Sequence, residues 1–421
     1  MLFYGLLLFI FLQIIRPQDF IPGLAGARLV LYLMVILLSG LLFSPIEKKF
    51  LRSPQDKFAG IFFIAMFLST LTVLYLTYMI ETTITILKIA LIYYFIVITV
   101  NNEKKLKGAT WTMVGMMTIV GLMAVLQSHG YDITGAGMVW SADKGVWQIK
   151  GIGKFDNPND IAHSVVLVVP FSLGLLVQTK GILTRIVALT FLFISAYCIY
   201  LTRSRGGQIA FGTCLVTWIY FWTTSRKLRR RLFVLGAIGL FAIFAVRTAG
   251  YRGDESAMGR IEAWSEGWTL LKSHPIIGVG KEQFIEYHTR DTHNSYVRAA
   301  AELGLIGLYA FIGILYSSVA TLFRIQRSPD YIKWRIYYVG YFSFLSAYMI
   351  ASLFATRTYD SLFLMCVALT GVLGRFALKD TDEVSAKGLV FQGEGVFRNK
   401  NVFGLSIAVL IVWYVFLRQV W

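Results

Sequence analysis

The sequence is dominated by apolar runs that recur along its whole length, each close to the about 20 residues that a helix needs to cross a bilayer. Charged residues make up 15% of the chain, whereas soluble domains carry about 25%. An ordinary soluble enzyme is therefore excluded. We predict an all-α polytopic membrane protein, a single integral domain over 1–421 with twelve or thirteen transmembrane helices. The predicted spans are 1–15, 28–46, 58–79, 82–100, 108–127, 159–178, 186–202, 206–224, 232–247, 294–323, 334–356 and 359–378, with 402–418 as the possible thirteenth.

Most basic residues lie in every second connection between these runs. Lys and Arg collect in the cytoplasmic loops of membrane proteins, so the alternation predicts a cytoplasmic N-terminus. The same rule explains most of the net charge of +17, and no nucleic-acid partner is expected. The polar segment 379–401 is then cytoplasmic, and the long connections 128–158 and 248–293 lie on the outer side. The run 402–418 either crosses the membrane or lies at its interface.

The 248–293 loop contains a helical pattern. Met258, Ile261, Trp264, Trp268 and Leu271 follow one another at spacings of three or four residues, which is typical of one helix face. The pattern predicts an amphipathic helix that lies on the membrane surface or packs against the bundle. This helix should end before Pro275, because proline cannot continue it.

Several arginines lie on the outer side, where the topology rule does not call for them. Arg203 and Arg205 fall at the outer junction of two spans, beside two glycines, and Arg260 lies in the long loop. A guanidinium binds a phosphate through two parallel hydrogen bonds, so these three residues are candidates for holding a lipid-linked diphosphate or an anionic lipid. For Arg16, Arg28 and Arg357, taken singly, we favour snorkelling to the lipid headgroups.

His293 heads the predicted span that begins at the end of the long loop. Gly304 and Gly307 fall about 20° and 40° from His293 on a helical wheel, so one helix face is predicted to carry all three, with a neighbouring helix packed on the glycines. Arg298 and Glu302 are spaced as a structural ion pair. A lone histidine in this position usually supports the fold. Beside outer arginines, however, it can also serve as a general base near neutral pH. The sequence shows no metal-ligand spacing of His or Cys, and we expect neither a metal ion nor another cofactor.

These segments resemble the O-antigen ligase superfamily, which includes ligases, O-antigen polymerases and protein O-oligosaccharyltransferases. The ligase pattern of His, Asn, nine residues, Gly, two residues and a small residue is matched by His293, Asn294, Gly304 and Gly307. Three further segments are similar to family motifs and precede it in the expected order: 153–159, 204–206 and 259–280.

The resemblance implies a GT-C-type glycosyltransferase fold in the bacterial inner membrane, with the site facing the periplasm. It implies transfer of a glycan from undecaprenyl diphosphate to lipid A–core without a metal ion. His293 would be the base, and Arg205 and Arg260 would hold the diphosphate. We also predict that Arg203 binds the diphosphate, because it lies close to Arg205. Asn294, Gly304 and Gly307 are predicted to support the site structurally.

Three alternatives remain open at this stage. A polysaccharide polymerase belongs to the same superfamily, but none of the outer arginines 203, 205, 247, 252, 260 and 290 has the glycine eleven positions on that many polymerases carry. Protein O-oligosaccharyltransferases tend to have additional C-terminal sequence. A non-enzymatic polysaccharide transporter would be expected to have internal repeats and a midplane site, and no convincing repeat is apparent.

Overall fold

A computed structural model describes residues 1–421 apart from 136, 142–144, 150–152, 154, 156, 250–254, 379–398 and 421. The side chains of 237, 240–249, 255–257 and 420 are likewise not described. The predicted segment 379–401 therefore lies mostly outside the described residues. The helices are α1 Leu2–Ile14, α2 Leu29–Leu42, α3 Pro54–Thr70, α4 Leu76–Thr99, α5 Glu103–Ser128, α6 Pro158–Val165, α7 Val168–Gln178, α8 Ile182–Leu201, α9 Arg205–Trp222, α10 Arg226–Ala249, α11 Glu255–Ser273, α12 Phe284–Tyr287, α13 Ser295–Gln326, α14 Arg335–Ala351, α15 Ser361–Ala377 and α16 Lys400–Val420.

Each predicted apolar run contains helical structure, and the chain is a multi-pass membrane protein. The boundary between the third and fourth runs was wrong, because α3 ends at Thr70 and α4 begins at Leu76, inside the predicted run 58–79. Among the described residues, seven helical segments are long and apolar enough to cross a membrane, and α2 and α15 are shorter apolar helices. The count of twelve or thirteen spans and the GT-C fold stay predictions. The seven segments are Leu2–Asp19, Leu76–Thr99, Glu103–Ser128, Pro158–Gln178, Ile182–Leu201, Ser295–Gln326 and Lys400–Gln419.

The connection 128–158 departs from the all-α prediction. It carries an antiparallel hairpin of β1 Met138–Ser141 and β2 Val146–Ile149. The Gln148 side chain donates to the carbonyl of Thr202 at 2.6 Å. The hairpin is thereby fastened to the junction of α8 and α9.

Burial divides the bundle into inner and peripheral helices. In α15, every residue from Leu362 to Leu369 is fully buried, which places this helix at the centre of the core. In α8, large apolar side chains such as Leu183 and Phe193 are exposed. A peripheral helix of a membrane protein is expected to expose such side chains, because they contact lipid rather than water.

Helix α11 is the amphipathic helix that the sequence predicts, and it ends before Pro275 as expected. Its apolar face packs against the bundle, on α13 and α16, with Ile261 and Leu271 buried. Trp268 meets Trp413 of α16 edge to face at 5.1 Å. Of the two predicted placements, packing on the bundle is the one observed.

The predicted stripe of His293, Gly304 and Gly307 on one regular helix face is wrong. His293 precedes the helix with φ 45°, and Gly304 interrupts α13 with φ 65° and ψ −164°. This backbone conformation is essentially restricted to glycine. The three residues therefore do not follow the 100° periodicity of a single helix.

An irregular segment, 275–280, lies against Gly304 in place of the neighbouring helix that we predicted. The amide of Leu305 donates to Pro275 at 2.8 Å, and Val279 donates to Ala301 at 3.1 Å. A Cβ on Gly304 would lie 2.4 Å from the Ile276 carbonyl. The kink frees backbone groups of α13, and the segment 275–280 pairs with them. Gly307 faces Leu303 of its own helix, because the bend brings that side chain over it.

Candidate functional site

The N-terminus of α13 positions His293. Asn294 caps the helix, and its side-chain oxygen accepts hydrogen bonds from the amides of Tyr296 at 3.0 Å and Val297 at 3.2 Å. On the other side of His293, the Thr292 carbonyl accepts a hydrogen bond from the Trp264 indole at 2.7 Å. Both neighbours of His293 are therefore anchored, Thr292 to α11 and Asn294 to α13. The supporting role of Asn294 in the site stays a prediction.

A buried ion network lies beneath the histidine. Arg298 contacts Asp291 at 2.5 Å and Glu302 at 2.6 Å. The contact between Arg298 and Glu302 is the structural ion pair that the sequence predicts. Glu302 is fully buried and also accepts from the amide of Phe284 at 3.0 Å and from the hydroxyl of Tyr359 at 2.6 Å. Buried charges are tolerated when they are paired and hydrogen-bonded in this way. The network joins the long loop to α13 and to Tyr359, which lies between α14 and α15.

The surroundings of His293 favour its neutral form. Its pKa lies below the ordinary value, chiefly because the ring is largely buried. Asp291 opposes this shift, whereas Arg260 and Arg298 reinforce it. Burial would raise the pKa of Asp291, but Arg298 and a hydrogen bond from Thr356 lower it below its ordinary value. The site therefore combines an ionised carboxylate, two guanidinium groups and a neutral imidazole.

Arg260 is the predicted diphosphate arginine that the structure brings to His293. It lies half-buried on α11, and its charge acts on the histidine ring. Next to Arg260, the guanidinium of Arg290 packs against Gly259. A Cβ placed on Gly259 would lie 2.0 Å from Nη1 of Arg290. A second arginine therefore approaches the same turn of α11. From the sequence, Arg290 was tested only as the start of a polymerase motif. Its approach to α11 could not be predicted, because it depends on the path of the loop.

Arg203 and Arg205 lie at the junction of α8 and α9. Arg203 has φ 51°, and its guanidinium stacks on the Tyr200 ring at 4.3 Å. Arg205 is exposed at the first turn of α9, where Ser204 caps the helix and donates to Asn159 at 2.6 Å. A Cβ on Gly207 would lie 2.4 Å from Ala162. The glycines thus allow α6 to approach closely.

The loop 352–360 contacts both the junction of α8 and α9, where Arg203 and Arg205 lie, and the segment that carries His293. Its residue Phe354 lies 4.0 Å from the position of a Cβ on Gly206, and its residue Thr356 contacts Thr292 at 3.3 Å. Arg357 of this loop is almost fully buried and donates to the Asp160 carbonyl at 2.9 Å and to Asp360. Snorkelling is therefore the wrong interpretation for Arg357, because its charge is neutralised inside the protein.

Residues 190–312 match the family model described as O-antigen ligase. The match supports membership of the chain in the O-antigen ligase superfamily and confirms the resemblance over this region. It contains His293 and all three predicted arginines, Arg203, Arg205 and Arg260. The 153–159 segment lies outside it. No curated protein matches the chain.

A cavity of about 790 Å³ extends from the O-antigen ligase region towards the N-terminal helices. Arg298 and Thr356 form part of its wall near His293, whereas Arg16, Arg28 and Lys88 come from the part of the chain before the match. Lys88 was missed in the sequence analysis. The sequence feature that could have identified Lys88 is its position as a single lysine within the apolar run 82–100, because a charge is costly inside a membrane span.

Within the described ranges, no group of three or more His, Cys, Asp or Glu side chains is placed to hold a metal ion. The cysteines Cys198, Cys214 and Cys366 are buried and unpaired by disulfides. The imidazole, carboxylate and guanidinium groups around His293 can supply acid–base and electrostatic chemistry.

Proposed function

We propose that this protein is an O-antigen ligase of the bacterial inner membrane, with its site facing the periplasm. It transfers O-antigen polysaccharide from undecaprenyl diphosphate to a sugar hydroxyl of lipid A–core, and it needs no metal ion. The observation that carries the proposal is the half-buried His293 beside Arg260 and Asp291, inside the region that matches the O-antigen ligase model.

In the proposed reaction, His293 accepts the proton of the acceptor hydroxyl. The acceptor oxygen forms a bond to the anomeric carbon of the donor glycan, and the bond from that carbon to the diphosphate oxygen breaks. Undecaprenyl diphosphate leaves with the electron pair, and the new glycosidic bond is complete. Arg205 and Arg260 hold the diphosphate and neutralise the charge that develops on it, and Arg203 assists from its position beside Arg205.

The electrostatics of His293 predict the pH dependence. Since the pKa of the ring is lowered from about 6.5, the base stays neutral below that pH, and kcat/KM falls only as the pH drops through the lowered value. Arg260→Gln removes one cation that lowers this pKa. The acid limb of kcat/KM should therefore move to higher pH, which a pH–rate profile of the purified variant measures.

The matched control for this profile is Lys272→Gln, an exposed cation on the same helix α11. It should leave the acid limb where it is in the wild type. An acid limb that stays in place or moves to lower pH in Arg260→Gln would exclude His293 as the group that titrates.

The test of the proposed function is a lipopolysaccharide gel of cells that lack this gene, complemented with the wild type or with His293→Ala. Without ligation, bare lipid A–core remains and long glycan accumulates on undecaprenyl diphosphate. A polymerase defect would instead leave core capped by a single repeat unit. Full-length ladders with His293→Ala would contradict the role of the histidine.

A transporter is distinguished by a second measurement. The purified protein should form product from donor and acceptor in detergent, where no ion gradient exists. Absence of turnover under conditions in which donor and acceptor both bind would favour the transporter.

A further inference from the structure

Lys88 is placed unusually for a charged residue. It lies near the middle of α4, and it is the only charged residue between Glu81 and the end of that helix at Thr99. The side chain is half-buried and lines the 790 Å³ cavity. A charge at such depth is costly, and functional ionisable residues inside spans typically face a cavity of this kind.

Two more cations reach the same end of the cavity. The charges of Arg16 and Arg28 both act on Lys88. Arg16 is paired with Asp19 at 3.1 Å. Within the part of the chain that the structure describes, neither Lys88 nor Arg28 has a side-chain hydrogen bond or an ion pair. Three like charges thus converge with one carboxylate among them, which leaves net positive charge here.

The remaining cations of the cavity are neutralised by the protein itself. Lys281 contacts Glu282 at 2.7 Å, Arg298 contacts Asp291 and Glu302, and Arg357 contacts Asp160 and Asp360. The positive charge available to a ligand is therefore concentrated near Lys88. Repulsion among Lys88, Arg28 and Arg16 is relieved when an anion binds between them.

Uncharged polar side chains line the same cavity beside the cations. They are Gln13, Gln18 and Thr85. Amide and hydroxyl side chains form hydrogen bonds with the hydroxyls of a sugar. A volume of about 790 Å³ lies within the range of ligand sites.

We propose that this cavity binds a phosphorylated sugar of the acceptor glycolipid, with its phosphate between Lys88 and Arg28. The inference rests on the proposed function for the identity of the acceptor as a glycolipid. Lys88 is a binding residue in this arrangement. Thr356 in the cavity wall contacts Thr292, the residue before His293, so the cavity extends to the segment that carries the proposed base.

The experiment is a binding titration with purified protein in nanodiscs of uncharged lipid. The probes are lipid A–core and the same glycolipid after chemical removal of its phosphates. Lys88→Met keeps an apolar chain of similar length and should weaken binding of the phosphorylated probe at least tenfold. Binding of the dephosphorylated probe should be weak and equal in both proteins. Lys88→Arg keeps the charge and should retain tight binding.

The matched control is Lys180→Met, an exposed lysine in a connection between two helices, which should bind both probes as the wild type does. Equal affinity of wild type and Lys88→Met for the phosphorylated probe would overturn the proposal. So would equal affinity of the wild type for both probes. Displacement of the glycolipid by equimolar phosphatidylglycerol would overturn it too, because the site would then recognise phospholipid headgroups.

Binding is measured without turnover, so this test is independent of the transfer reaction. If transfer fails while the phosphorylated probe binds through Lys88, the site stands and the ligase proposal falls. If transfer proceeds normally in Lys88→Met with an unchanged KM for the acceptor, the site falls and the ligase proposal stands.

Discussion

Replacing His293 with asparagine is expected to reduce kcat for glycan transfer by about 10²- to 10⁴-fold, the usual contribution of a general base. Asparagine suits the test because His293 has φ 45°, and Asn adopts this left-handed region more readily than most residues. The backbone at the start of α13 should therefore keep its conformation while the proton acceptor is lost. The measurement is steady-state transfer by the purified variant with both substrates.

Donor binding should survive in His293→Asn, because the diphosphate is proposed to contact Arg205 and Arg260 rather than the imidazole. His274→Asn is the matched control, since His274 is exposed in the same outer loop and should transfer at the wild-type rate. Wild-type kcat in His293→Asn would show that the histidine supports the fold alone.

Gly304→Ala is expected to destabilise the protein by at least about 1–3 kcal/mol, the cost of a side chain in a backbone conformation reserved for glycine. The added Cβ would also lie 2.4 Å from the Ile276 carbonyl, so the segment 275–280 would have to move. Its hydrogen bonds to Ala301 and Leu305 would be lost with that movement. We expect a lower midpoint of thermal unfolding in detergent and a loss of transfer.

Gly115→Ala provides the comparison for this substitution. Gly115 lies within the regular helix α5, and nothing lies within 4 Å of the position of its Cβ. Alanine should be neutral or slightly stabilising there, because it is the better helix former. An unchanged unfolding midpoint in Gly304→Ala would mean that segment 275–280 does not depend on this glycine.

The ion network around Arg298 shows which contacts sequence spacing can predict and which it cannot. The spacing of Arg298 and Glu302 predicted their contact, because residues four apart on a helix face one another. The same pattern carried no information on Asp291 or Tyr359, which complete the network from other segments. For the arginines, sequence position predicted which ones lie beside glycines. The family resemblance placed Arg260 in one site with His293. The sequence did not predict that Arg357 is buried against Asp160 and Asp360.

By itself, the sequence determined the positions of the helices, the amphipathic helix α11 and the residue types of the candidate site. These follow from local properties, namely apolar length, helical periodicity and the residues that begin or end a helix. The tertiary structure alone decided that α13 bends at Gly304 around segment 275–280 and that Lys88, Arg16 and Arg28 converge on one cavity. Both features arise from contacts between segments far apart in the chain, where packing of buried backbone and repulsion between like charges depend on how the helices meet.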